Sequence, residues 1–360
     1  MLKNNKYLFA DASHSTENAL FLYLQQKAPL ILGINNKACI EIKNLEIKPV
    51  TGLCTNLNFL VDLMVKNSKG DLIHKKLMAK FFTMKGTFTR MRESILVNGL
   101  QQVLKTSGIL TAKKRMGIEK NSLHRLRVAG ISAPEVLYAD LQNCCLFTDY
   151  KEGCIKLDEI IHGIWRRKQI RDWEIELLER IGQRMAEINI NVGITHGDPG
   201  YYNWLYNTKT SEIYLIDWEL AGRADPAWDL AGLIYRLGSH LDKDSDESNL
   251  YEKMVTAVIS GYNNIDTSER IIGQFNKYWA YFILIVPAVI FEKVFELLNI
   301  SKPRLFDFLR LLPNVLTDHH PKRQKNSFIN RFVHVCIRRF VLIYAYGSVH
   351  VFGETCGSKH

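Results

Sequence analysis

None of the seven cysteines in this 360-residue chain (Cys39, Cys54, Cys144, Cys145, Cys154, Cys336, Cys356) stands in C-x-x-C spacing. An odd, scattered set excludes a disulfide framework and a zinc site, and fits reduced thiols in a reducing compartment. The N-terminus lacks a charged-then-apolar pattern, so no secretory leader is expected and the expected location is cytoplasmic. Long hydrophobic runs are also missing. The longest, Tyr278 to Phe291, has 14 residues and contains Pro287; it is short for a membrane span and reads as a buried helix. Neither G-x-G-x-x-G nor G-x-x-x-x-G-K-[ST] occurs, so a protein-kinase glycine loop and a Walker A site are unsupported. There is no internal repeat and no low-complexity tract.

Acidic side chains are scarce in two stretches. From Lys75 to Arg127, 13 Lys or Arg stand against Glu93 and Glu119; from Pro321 to His360, seven stand against Glu354, within a net charge of +10. A basic block in an otherwise acidic chain suggests an anionic partner: a nucleotide, a phosphorylated substrate or a membrane surface. A solvated, Lys-rich helical face is an equally good reading. Hydrophobic residues at 47% and charged residues at 23% are ordinary globular values.

Residues 11–27 carry Ser and Thr cap candidates ahead of Leu20, Phe21 and Leu24, predicting a short amphipathic helix. Residues 38–50, 57–66 and 77–82 predict strands, as do 136–139 and 145–148. Helical periodicity marks 90–106 and 115–129, with Gly130 as a stop. Beyond 149 the pattern is mostly helical to about 316, interrupted by strands near 204 and 214. Strands first and helices later predict an α+β fold.

The densest chemistry lies in Ile194-Thr195-His196-Gly197-Asp198, then Asn203, then Tyr214-Leu215-Ile216-Asp217-Trp218-Glu219. An Asp in a catalytic loop can take a hydroxyl proton, and an Asn five residues on can reach Mg²⁺. A second Asp after the next apolar strand can bridge metal and phosphates. The fourteen residues from Asn203 to Asp217 suffice for a strand, a polar turn and a returning strand. Lys80, in the apolar strand after Leu77-Met78-Ala79, needs an anionic partner, which the α/β-phosphates of ATP would supply.

The segment His196 to Leu230 resembles the aminoglycoside phosphotransferase and choline kinase superfamily, small-molecule kinases with a protein-kinase-like fold. The family pattern is HGD, four residues, Asn, then Ile-Asp-Trp-Glu, Ala-Gly, Asp-Pro and Asp-Leu-Ala. All of these stand here in order, from His196-Gly197-Asp198 to Asp229-Leu230-Ala231. The resemblance implies a two-lobed α+β fold, a small β-rich N-lobe and a larger helical C-lobe. The implied divisions are 1–37, an N-terminal helical extension; 38–148, the N-lobe; 149–316, the C-lobe; and 317–360, a basic and apolar tail.

It also implies an ATP-dependent kinase acting on a small-molecule hydroxyl. Asp198 is the expected base, and Asn203 and Asp217 the expected Mg²⁺ ligands; His196 holds the loop and Asp229 braces it. Glu119 is similar to the helical Glu that pairs with the strand Lys, with Glu93 as the other choice. Gly52, Thr55 and Asn56 fall in a turn that resembles the phosphate-covering turn of choline kinase-like enzymes. Asp149 and Tyr150 lie where backbone groups of the interlobe linker would read adenine. Two rival readings are kept: a lipopolysaccharide core sugar kinase at the membrane surface, and a non-catalytic nucleotide-binding protein. No Asp-Phe-Gly or Ala-Pro-Glu follows Asp217, which argues against a protein kinase. No nucleic-acid partner is expected. The tail is expected either to pack on the helical lobe or be partly disordered, or to contact an anionic membrane surface at its inner face, where basic residues favour the headgroups.

Overall fold

The computed structural model describes residues 14–34, 41–50, 56–67, 69–83, 111–223, 226–238 and 245–265. Its elements fall into two compact units. The first begins with helix α1 (His14–Ile31) and strands β1 (Glu41–Pro49), β2 (Leu57–Lys66) and β3 (Leu72–Phe81). Helix α2 (Ala112–Val128) and strands β4 (Val136–Asp140), β5 (Cys145–Asp149) and β6 (Cys154–Lys156) follow. A π turn (Ile188–Val192) and strands β7 (Trp204–Asn207) and β8 (Ile213–Leu215) also belong to it. Helices α3 (Leu157–Arg167), α4 (Asp172–Glu187), α5 (Pro226–Leu237) and α6 (Ser245–Asn263) make the second. The fold is α+β, as the order of elements predicts.

The main sheet has the order β1-β2-β3-β5-β4, and each adjacent pair is antiparallel. Period-2 alternation in β2 sends Phe59, Val61, Leu63 and Val65 to one face, where Leu77, Ala79, Phe81 and Phe147 join them. Helix α1 covers that face with Leu20, Leu24, Ala28 and Ile31, which recur at helical spacing. It runs four residues beyond the predicted end, and Phe21 lies outside the stripe, 39% exposed. A buried polar contact fixes it: the Tyr23 hydroxyl donates to Asp140 at 2.6 Å. Since successive side chains alternate, Lys80 projects to the face opposite Ala79 and Phe81.

The predicted helix over 115–129 is α2. Thr111 caps its start by accepting the Lys114 N–H at 3.2 Å, and Gly130 (φ 74°) ends it as expected. Strand β6 and the π turn were not anticipated. The predicted helix at 90–106, Tyr278 to Phe291, and the tail at 317–360 lie outside the described residues. Among the described residues, no helix is long and apolar enough to cross a membrane.

In the second unit α4 and α6 meet backbone to backbone. A methyl group added at Gly261 would lie 1.8 Å from the Glu179 carbonyl oxygen, and one at Gly182 2.0 Å from that of Val258. Overpacking of this kind costs roughly 1–3 kcal/mol, more where backbone must move. Gly261→Ala is therefore expected to lower the melting temperature by several degrees, against its helix-propensity gain of up to about 1 kcal/mol. Gly117 in α2 has nothing within 4 Å of such a methyl, so Gly117→Ala should be neutral or stabilising. Thermal unfolding of the two variants reads opposite signs if the helix contact decides.

Candidate active site

Residues Ile194 to Asp198 and Asn203 to Glu219, where the chemistry is expected, belong to the sheet-bearing unit. Thr195 and Gly222 exchange backbone hydrogen bonds at 2.8 and 3.0 Å, pinning the loop before it turns. Gly197 is required at the turn: its φ is 87°, and a methyl group there would meet the Leu220 carbonyl oxygen at 2.6 Å. The His196 ring is buried and packs edge-on against Trp218 at 4.6 Å. Its Nε2–H donates to the Ile216 carbonyl at 2.8 Å, so Nδ1 carries the lone pair that accepts the Asp198 N–H at 3.2 Å. That arrangement needs a neutral imidazole. Burial acts the same way, holding the His196 pKa below its ordinary value.

The unfolded chain therefore binds this proton more readily than the native one. The stability it contributes is complete above about pH 6.5, the ordinary His value, and fades as pH falls below it. The difference in denaturant stability between wild type and a non-titrating His196→Gln variant should shrink as pH falls from 7 to 5, a comparison in which the oppositely directed Glu119 titration is common to both.

Asp198 is 3% exposed. The Asn203 amide nitrogen donates to the Asp198 carbonyl at 2.8 Å, which turns the Asn203 side-chain oxygen away from that contact. Asn203 in turn accepts, through its own carbonyl, the Ile216 N–H at 2.9 Å. The predicted hairpin is present: β7 and β8 pair in antiparallel register from Trp204↔Leu215. It carries Asn203 immediately before one strand and Asp217 shortly after the other. Asp217 sits in the left-handed region (φ 67°, ψ 53°), where Asp and Asn are among the few non-glycine residues tolerated.

Lys80 lies among three carboxylates. Its ammonium is 2.5 Å from Glu119, in direct hydrogen-bond contact with Asp217, and 3.7 Å from Glu219. The Phe82 ring packs beneath the cation at 4.9 Å. Burial alone would depress the Lys80 pKa, but the carboxylates outweigh it and hold it well above its ordinary value. Burial pushes the Glu119 carboxyl up to about 7 against the pull of Lys80. Asp217 goes the other way: burial would raise it, but Lys80 prevails and keeps it below the usual carboxylate range. Of the two proposed partners for Lys80, Glu119 makes the contact, and Glu93 lies outside the described residues.

A second cation is buried behind the first. Arg115, one turn before Glu119 on α2 and 1% exposed, donates to Asn56 at 3.1 Å and Glu219 at 3.0 Å, and to the Thr83 carbonyl at 2.5 Å. The Asn56 amide also donates to Glu219 at 2.5 Å. Asn56, expected on the phosphate side, joins the α2 network through its amide. Arg115 and Glu219 carry no sequence signal of this role, since a buried Arg in Lys113-Lys114-Arg115 looks like a solvated one. Gly52 and Thr55 lie outside the described residues.

At the linker, the Asp149 N–H donates to the Glu135 carbonyl at 3.0 Å and the Tyr150 N–H to that of Lys76 at 3.2 Å. These two N–H groups are thus engaged within the sheet-bearing unit. The Asp149 carboxylate pairs with Lys151 at 2.7 Å. Asp229, in the second unit, is buried in the first turn of α5.

Residues 155–252 match the model of the phosphotransferase enzyme family (APH). Over 104 residues, 29% of this chain, it is 25% identical to the EKC/KEOPS complex subunit Tp53rkb of Mus musculus; the match spans 42% of that relative's length. Among solved structures, it resembles the choline kinase LicA from Streptococcus pneumoniae with 14% identity and a TM-score of 0.38, over 89% of this chain and 99% of that one. It also resembles a Plasmodium vivax ethanolamine kinase with 13% identity and a TM-score of 0.43, over 93% and 90%. The segment His196 to Leu230, which carries the resemblance in the sequence, lies within the residues 155–252 that match the phosphotransferase enzyme family model.

Proposed function

We propose that this chain transfers the γ-phosphoryl group of ATP to a hydroxyl of a small molecule. The observation that carries the reading is the junction at Asp217. This residue bonds the strand Lys80, itself paired with Glu119, and lies on the hairpin that begins at Asn203. Lys80, read as the phosphate-binding cation, and Asn203 and Asp217, read as oxygen ligands for a divalent ion, all belong to one unit of the fold.

The residues present fit Mg²⁺. The Asn203 amide nitrogen is engaged by Asp198, leaving a neutral oxygen donor, and Asp217 adds a carboxylate; an all-oxygen set suits a hard cation. Asn203 and Asp217 would hold it. When bound, the ion neutralises charge on the phosphate oxygens. Lys80 binds the α/β-phosphates, with Glu119 fixing its direction. The Asp198 carboxylate takes the acceptor's proton as the hydroxyl oxygen bonds to the γ-phosphorus; the bond from that phosphorus to the bridging oxygen breaks, and ADP leaves.

A second reading concerns the acceptor. Helix α2 exposes Lys113, Lys114, Lys120 and Arg127, a basic face that suits an anionic glycolipid such as a lipopolysaccharide core sugar. ADP release should be measured with amino alcohols, aminoglycosides and core oligosaccharides. Mg²⁺-dependent release with at least one acceptor supports the kinase. Binding of Mg·ATP without release under any acceptor identifies a non-catalytic nucleotide-binding protein.

A further inference from the structure

We propose that Arg115 is a positioning residue of the nucleotide site, clamping Asn56, Thr83 and Glu219 to α2 so that Glu119 and Lys80 face the phosphates of ATP. The inference rests on the kinase reading. Arg115 and Glu119 are four residues apart and so share one face of α2. Glu119 reaches Lys80, whereas Arg115 reaches three other segments of the chain: the residue before β2, the one two places after β3, and the one two places after Asp217. Any rotation or slide of α2 that carries Glu119 away from Lys80 must break these contacts together.

The chemistry of the clamp is specific to a guanidinium. One nitrogen serves Asn56 and Glu219 while the other serves Thr83, a planar fork that a lysine ammonium cannot reproduce. Removing such a charge from water carries a penalty of several kcal/mol, offset only where its donors are matched. Glu219 has the complementary problem. Its carboxylate stands 3.7 Å from the Lys80 ammonium. With Arg115 in place, its Oε2 accepts from Arg115 and Asn56. Without Arg115, the buried Glu219 carboxylate loses a cation partner beside Lys80, where it competes with Glu119 and repels the incoming phosphates.

The test uses the full chain in three forms: Arg115→Met, Arg115→Lys, and Arg115→Met combined with Glu219→Gln. Hydrogen exchange on the ligand-free proteins reports the clamp directly. Mg·ATP titration and steady-state kinetics report the site. Arg115→Met should lose protection over 112–123 and 56–66 while the second unit keeps its own. Its KM for ATP should rise on the order of tenfold, with a smaller fall in kcat. Arg115→Lys, which keeps the charge without the fork, should fall between wild type and Met; it also serves if the Met variant does not fold.

Adding Glu219→Gln should restore part of the ATP affinity, because the competing charge is gone. A merely structural arginine predicts otherwise: the double variant would be no better than the single one, and the folded fraction would have normal KM. That result, or unchanged exchange over both segments, overturns the proposal. If wild-type chain neither binds nor turns over ATP, the kinase reading falls on its own. The exchange arm then judges the clamp, with lost protection supporting it and retained protection overturning it.

Discussion

Asp198→Asn is expected to keep the fold and Mg·ATP affinity while lowering turnover by roughly a hundredfold or more, the loss usual for a positioned base. The contacts that hold the loop here run through the Asp198 backbone: its N–H to the His196 ring and its carbonyl to the Asn203 amide. Both are backbone contacts that an Asn at 198 can keep, so the substitution removes the proton acceptor while preserving them. The effect should appear in kcat with little change in KM for ATP, because the proton moves only as the acceptor attacks. Steady-state ADP release with parallel ATP titration measures both. Near-normal kcat would mean that another group takes the proton or that none is needed.

The second large effect is expected at Asp217. Asp217→Asn should erase the gain in ATP affinity that Mg²⁺ provides, since the charged ligand is replaced by a neutral amide. Asn is the appropriate probe because it tolerates the left-handed backbone found at this position (φ 67°). Lys80 keeps Glu119 at 2.5 Å and Glu219 at 3.7 Å, so the buried cation is not stranded. Calorimetric titration with Mg²⁺ and with a chelator should give nearly equal affinities in the variant and widely separated ones in wild type. A Mg²⁺ gain that survives intact would remove Asp217 from the metal site.

Much of this arrangement was legible in the residues because periodicity and short-range chemistry dictate it. The alternation in 57–66 sets β2, the Thr111 cap and Gly130 stop bound α2, and the polar turn between Trp204 and Leu215 closes the hairpin. Lys80 and Glu119, 39 residues apart, could be matched only through the family pattern, and they do meet. What escaped was decided by tertiary contact. Arg115 is buried because Asn56, Thr83 and Glu219 converge on it from distant positions, and no local pattern announces that. The N–H groups of Asp149 and Tyr150 find partners in Glu135 and Lys76, distant in sequence, which no local pattern announces either. Phe21 reads as part of an apolar stripe, whereas the sheet face is filled by Leu20, Leu24 and the more distant Ala28 and Ile31.

Helix α1 has a practical consequence for anyone who shortens the chain. Residues 1–37 read as an N-terminal helical extension, and α1 within them covers Phe59, Val61, Leu63, Val65 and Phe81, with Tyr23 anchoring it to Asp140. A version starting at residue 38 would present that β-branched and aromatic sheet face to water. Contiguous apolar surface on strongly β-prone strands is a recognised route to self-association. Such a protein would be expected to collect in the insoluble fraction on expression, and its failure would say nothing about the phosphoryl-transfer site. The helix is the lid of the sheet's core, and any shortened version has to keep it.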